Sequence, residues 1–337
     1  MRRKTYISTS NQNFTLSVNY NAVKIFNGVK ISQSVKIKKS SRNFCSVNLQ
    51  SSPTVKLLAS STVVALSGGF RLHIAFLLAG LPANIPVYCA GVMIIYSTYT
   101  LDRTLDCAED AVNRAELCGA KKKIGMIACI ASFLAGLLIF AYEGIYLAPF
   151  FPFIIGYFYT HGIPVGQKKL KLKGGAGIKN IVTGITWGGT IALIVSRYCS
   201  ELPTVGMIFL FFGAKTFVTS CVNDFKDVRG DILAGIHTLP ACLGEGLTKL
   251  VLIATVLGVH CVMFYSIILG IIGNGWAVLI IGLVILVTFL LVYSPAFEKS
   301  NSVWYRKMRE VAISWESAVS IGLPYLARAS IQALHLL

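Results

Sequence analysis

Long apolar runs separated by short polar connections repeat along most of this chain. They fall at about 57–82, 84–101, 123–142, 144–161, 180–198, 203–221, 247–270, 274–294 and 311–335. A helix needs roughly 17–25 predominantly apolar residues to cross the hydrocarbon of a bilayer. The pattern therefore predicts an all-α fold, an integral membrane bundle of about nine transmembrane helices around a central cavity. Arg71 and His73 interrupt the first run, and Glu316 and Arg328 lie in the last. Polar groups at such depth face the bundle interior or snorkel to the interface. Residues 1–55 differ: they are rich in Ser, Asn and Lys, with no acid and no long apolar run. They read as a basic, disordered N-terminal extension, which leaves 56–337 as the transmembrane domain.

Composition agrees with that pattern. Only 13% of the 337 residues are charged and 55% are hydrophobic, whereas a soluble domain carries about 25% charged residues. The formal charge of +17 divides unevenly, because residues 1–60 hold ten Lys or Arg and no acid, leaving +7 for the rest. That remainder lies in short loops, so nucleic-acid binding is a poor reading. Orientation is a better one, since Lys and Arg collect in cytoplasmic loops. The connections after the second, fourth, sixth and eighth runs hold nearly all of them, and the opposite connections offer only Arg197. The N-terminus therefore belongs on the cytoplasmic or organelle-internal side. The extension has the composition of an organelle transit peptide or of a tail on anionic lipid. Its preference for Lys over Arg favours the tail, and with it a prokaryotic cell membrane over an organelle inner membrane. The nine cysteines are scattered without metal-site spacing and read as small buried hydrophobes.

The acids carry the chemistry. Of 14 Asp and Glu, eight lie in two short stretches, LDRTLDCAEDAVNRAE and NDFKDVRGD. Asp102, Asp106 and Asp110 are spaced i, i+4, i+8, and Asp224, Asp227 and Asp231 are spaced i, i+3, i+7. Either spacing puts a trio on one face of a helix. Stacked carboxylates repel unless a cation lies between them, and both trios fall on the cytoplasmic face. Mg2+ takes one or two carboxylates together with substrate phosphates, and paired metals clamp a phosphate group. The six aspartates are thus candidate metal ligands, with Asp106, Asp110, Asp227 and Asp231 at the centre of catalysis. Arg114, Lys226, Lys168 and Lys169 are candidate donors to a diphosphate, and Tyr159 is a candidate phenolic donor or ring face. For the loop lysines, plain anchoring at the membrane surface is at least as good a reading.

These residues resemble the two signatures of the UbiA superfamily of membrane prenyltransferases. The first, NxxxDxxxD continued as A-x-N-R, is matched by Asp106, Asp110, Asn113 and Arg114, with Asp102 standing where the family has Asn. The second, D-x-x-D-x-x-G-D followed by A-G-x-x-T-L-P, is matched by Asp224, Asp227, Gly230, Asp231, Ala234, Gly235, Thr238, Leu239 and Pro240. The tyrosine–lysine element that follows the fourth helix in the family is displaced here by His161-Gly-Ile-Pro164. The resemblance covers about 57–337. It implies a Mg2+-dependent transferase that ionises an allylic isoprenoid diphosphate and joins the prenyl carbon to an acceptor, usually an aromatic ring. It adds Asn113 to the substrate-binding set and implies no obligate protein partner. On family frequency the acceptor is the head group of a quinone- or phenazine-type electron carrier. A terpene cyclase of the same superfamily and a membrane transporter are the rivals.

Asp106→Ala and Asp227→Ala are each expected to abolish Mg2+-dependent prenyl transfer while leaving membrane insertion intact. Near-normal turnover by both variants in a membrane assay would contradict the aspartate assignment.

Overall fold

A computed structural model of the chain describes residues 52–105, 117, 119–155, 163–165, 168–170, 177–233, 237–294 and 303–334. The helices are α1 (Pro53–Leu78), α2 (Ile85–Thr104), α3 (Lys122–Tyr142), α4 (Ile178–Val195), α5 (Leu202–Leu233), α6 (Leu239–Ile268), α7 (Trp276–Val292), α8 (Val303–Glu310) and α9 (Glu316–Leu334). Eight of the nine predicted spans correspond to α1–α7 and α9. Of the fourth, 144–155 is described and ends in helical turns at 151–155. The extension, apart from its last four residues, lies outside the described residues. Among the described residues, five helices are long and apolar enough to cross a membrane, and the shorter α7 is apolar throughout.

Local sequence sets the helix starts. Ser52 and Asn84 accept hydrogen bonds from the amides of Val55 and Val87, and each is followed by a proline in the first turn. Such caps satisfy amides that have no partner inside the helix. The α6 helix opens with a turn at Pro240 and then breaks at Gly244, whose φ of 74° lies in the left-handed region. The membrane-crossing part therefore begins close to the predicted 247.

Three features depart from expectation. First, α2, which carries Asp102, ends at Thr104, and Leu105 is extended (φ −76°, ψ 132°). The Thr104 hydroxyl donates to the Thr100 carbonyl at 2.6 Å, a bond that distorts a last turn. Carboxylates also oppose the negative end of a helix dipole. Second, a small antiparallel hairpin joins β1 (Ile163–Val165) to β2 (Lys168–Leu170), pairing Val165 with Lys168. The Lys-Leu-Lys-Leu-Lys alternation at 169–173 carries the strand period of two, but the hairpin does not alter the all-α class. Third, a π-helical turn at Val311–Trp315 precedes α9.

The tightest interhelical contact is between α4 and α5. A Cβ on Gly188 would sit 2.7 Å from the Gly213 backbone nitrogen, and one on Gly184 would sit 2.7 Å from the Gly213 carbonyl. Small residues four apart let membrane helices approach this closely. Deeper in the bundle, the polar interruptions of the apolar runs meet one another. Lys215 on α5 pairs with Glu316 on α9 at 2.5 Å, both almost wholly buried. Ser320 and Ser317 donate to the two Glu316 oxygens. Arg71 on α1 donates to the Thr216 hydroxyl and to the Ile313 carbonyl in the π-helical turn. Three helices are thus tied together where lipid offers no partner.

Glu316→Ala leaves the Lys215 and Arg71 cations without that anion. Breaking a buried pair by removing one partner costs about 3–5 kcal/mol. Denaturation in detergent should show a loss of that order, and Lys215→Met with Glu316→Leu should recover most of it.

Candidate active site

The second aspartate segment is the last stretch of α5, continuing the helix past its apolar part. Asp224 is 2% exposed, Asp227 is half-buried and Lys226 is exposed. The first turn of α4 meets Asp224. Lys179 Nζ lies 2.8 Å from its Oδ1, and Asn180 Nδ2 lies 2.6 Å from its Oδ2. Asn180 Nδ2 also donates to the Ser220 hydroxyl at 3.0 Å, one helical turn before Asp224. The glycine contact of α4 with α5 sits below and fixes this approach. In the sequence Lys179 is one more basic residue of the connection after the fourth run, and Asn180 carries no motif. Their pairing is a tertiary fact with no local signal.

Asp102 lies in the last turn of α2 and is exposed. Beside it, Arg103 donates to the Ser61 hydroxyl of α1 at 3.1 Å and its guanidinium lies 5.4 Å from the Tyr99 ring centre. Tyr99 stacks on Trp187 of α4, with centroids 5.6 Å apart and planes 11° apart. Asp102 lies three residues from Tyr99 toward the α2 terminus, and Asn180 seven residues from Trp187 toward the α4 start. At 1.5 Å rise per residue, both stand above the stacked rings, about 5 and 10 Å up. The start of α3 joins the same end, since the Lys121 amide donates to the Thr54 hydroxyl of α1. Asp102 and Asp224 therefore occupy one end of the bundle.

Beneath the stacked rings lies a narrow cavity that is open on one side. Its walls are apolar, with Leu72, Ile94, Ile95, Ile191 and Ile194 from three helices around Phe140. Arg71 borders it, but its guanidinium is committed to Thr216 and Ile313.

Asp106, Asp110, Asn113, Arg114 and Tyr159 lie outside the described residues. The backbones of Lys168 and Lys169 lie in β2 and that of Asp231 in α5, but their side chains are not described. Among the described residues, no three His, Cys, Asp or Glu side chains converge closely enough to hold a metal ion. The donors that do gather fit a hard cation. Asp224 offers carboxylate oxygens, and the Asn180 Oδ1 beside it is buried with no hydrogen-bond partner among the described residues. Hard divalent cations take such oxygens.

The helices, with this polar mouth above an apolar interior, define a multi-pass membrane protein. The chain belongs to the UbiA prenyltransferase family, whose model matches residues 57–309, and it is accordingly a membrane prenyltransferase. It is similar in structure to a UbiA homologue from Archaeoglobus fulgidus bound to GPP and Mg2+, at 14% identity, with 82% of this chain and 99% of that chain covered and a TM-score of 0.52. A UbiA homologue from Archaeoglobus fulgidus bound to DMAPP and Mg2+ matches at 14% identity over 80% and 100% of the two chains, with a TM-score of 0.49. A structure of digeranylgeranylglyceryl phosphate synthase matches at 14% identity over 80% and 98%, with a TM-score of 0.48. At this identity the likeness is one of fold. No curated protein sequence matches the chain.

Lys179→Met removes the cation on Asp224 Oδ1. The lysine is about a quarter exposed, so the cost should fall below that of a fully buried pair, on the order of 1–3 kcal/mol. Thermal denaturation of the metal-free protein in detergent should show that loss, and added divalent cation should narrow it by neutralising Asp224.

Proposed function

We propose that this prenyltransferase moves a polyprenyl group from an allylic isoprenoid diphosphate to an aromatic acceptor, with Mg2+ as cofactor. The observation that carries this reading is the stacking order at one end of the bundle. Acids and a lysine stand at the mouth, stacked aromatic rings lie below them, and an apolar cavity lies below the rings. A prenyl diphosphate has the same order of chemistry from head to tail. The Archaeoglobus fulgidus homologue with GPP and Mg2+ supports the substrate class and the metal.

Asp102, Asp224 and Asp227 would hold the metal together with Asp106, Asp110 and Asp231. Bound there, Mg2+ supplies positive charge to the diphosphate oxygens as the allylic C–O bond breaks. Lys179 and Lys226 stand at the second acidic segment and would offset charge on the departing diphosphate, which leaves with the bonding electron pair. Arg114, Asn113, Lys168, Lys169 and Tyr159 complete the proposed substrate-binding set. The stacked Tyr99–Trp187 pair borders the cavity below the mouth, where a ring face turned to the allylic cation would contribute about 0.5–2 kcal/mol. The apolar walls keep water from the cation, so the acceptor ring carbon forms the new C–C bond and the ring proton then passes to solvent at the mouth. A quinone- or phenazine-type head group is the acceptor favoured, in a prokaryotic cell membrane.

The test is turnover of labelled geranyl diphosphate by the purified protein with Mg2+ and a panel of hydroxylated aromatic acids, naphthoates and phenazines. A prenylated ring and released diphosphate are expected. Cyclic hydrocarbon formed without acceptor would replace this reading by a cyclase, and no turnover with any acceptor would overturn it.

A further inference from the structure

The first turn of α4 carries a feature that the aspartate signatures do not explain. Asn180 is fully buried. Its amide nitrogen is doubly used, on Asp224 Oδ2 at 2.6 Å and on Ser220 Oγ at 3.0 Å. The carboxylate fixes which way the amide points, because the opposite orientation would press two oxygens together. Its Oδ1 is therefore held rigidly on the carbon next to that nitrogen, beside Asp224, and no donor among the described residues reaches it. A buried oxygen left without a partner costs about 1–3 kcal/mol. A donor-free oxygen locked against a carboxylate is suited to a cation and unsuited to an anion.

A second oxygen at the same corner behaves alike. Thr238 stands at the N-cap of α6, where a hydroxyl ordinarily bonds an amide of the first turn. Here it makes no capping bond, it is fully buried, and its Oγ1 has no partner among the described residues. The corner is closed by the Gly177 amide, which donates to the His237 carbonyl at 3.2 Å. Leu239 packs against Gly177 so closely that a Cβ there would lie 3.0 Å from it. The starts of α4 and α6 thus meet at this corner, and each carries a buried oxygen with no partner among the described residues.

We propose that Asn180 is a ligand-donating residue of the cation site, its Oδ1 binding the same divalent ion as Asp224. The first turn of α4 then adds a neutral oxygen to a site otherwise made of carboxylates from α2 and α5. This rests on the metal reading above. A neutral ligand lets the site hold a divalent ion and a multiply charged diphosphate without a further negative charge. It also explains why the amide is wedged between Ser220 and Asp224, which aims its oxygen before any ion arrives.

The test uses the full-length protein in detergent with Mn2+ as the probe, its binding read from the electron spin resonance signal of the free ion. Melting temperature with and without Mn2+ is measured alongside. Asn180→Ala should weaken Mn2+ binding at least tenfold. Asn180→Asp should lower the melting temperature without metal, because two carboxylates then face each other. It should hold or tighten Mn2+ binding and gain more from Mn2+ than the parent does. A purely structural asparagine predicts lower melting temperatures in both variants and parental Mn2+ affinity, and that result overturns the proposal. If Asn180→Ala does not fold, Asn180→Asp decides alone: a larger Mn2+-induced rise in melting temperature than the parent's supports the proposal, and an equal or smaller rise, or weaker binding, overturns it. Failure of the parent itself to bind Mn2+ would instead sink the metal reading on which the proposal stands.

Discussion

The buried carboxylate of Asp224, gripped between Lys179 and Asn180, is the interaction on which the rest of the site depends. An ionised group this far from water must be compensated, and compensation here comes from a different helix. That requires α4 and α5 to touch along their length, and glycines at 184, 188 and 213 remove the side chains that would hold them apart. The site is therefore set by backbone packing well below it. A bulky residue at Gly188 would push away the lysine and the amide together.

The same logic governs the interior. Lys215, Glu316 and Arg71 interrupt apolar helices, yet each is turned onto the others or onto a backbone carbonyl. The π-helical turn before α9 supplies the Ile313 carbonyl that receives Arg71. The ion cluster ties α1 to α5 and α9, and the glycine contact ties α4 to α5; α1 and α4 in turn wall the apolar cavity together with α2 and α3. A cavity in a membrane bundle needs such walls, because lipid provides no hydrophobic force to press helices together.

Much of this was legible in the residues alone. Apolar runs of the right length located the helices, and loop lysines predicted an orientation for them. The poverty of acids elsewhere made the aspartate trios stand out, and the family signatures followed from them. What escaped was whatever depends on contact between distant segments. Nothing local marks Asn180 as a partner of Asp224, or Lys215 as a partner of Glu316. The trio spacing at 102, 106 and 110 predicted one helical face; α2 carries Asp102 and ends at Thr104, and Asp106 and Asp110 lie outside the described residues. The Lys-Leu alternation at 169–173 carries a strand period but is too short to separate a hairpin from a charged loop.

The central claim is that the two acidic segments, about 120 residues apart in sequence, share one mouth of the bundle. The direct measurement is a spin–spin distance between labels at Leu105→Cys and Lys226→Cys, both exposed positions, with the other reactive cysteines replaced. Labels at one mouth should report a distance below about 25 Å. Segments on opposite faces would be separated by at least the hydrocarbon thickness of about 30 Å, and a distance above roughly 35 Å would contradict the account.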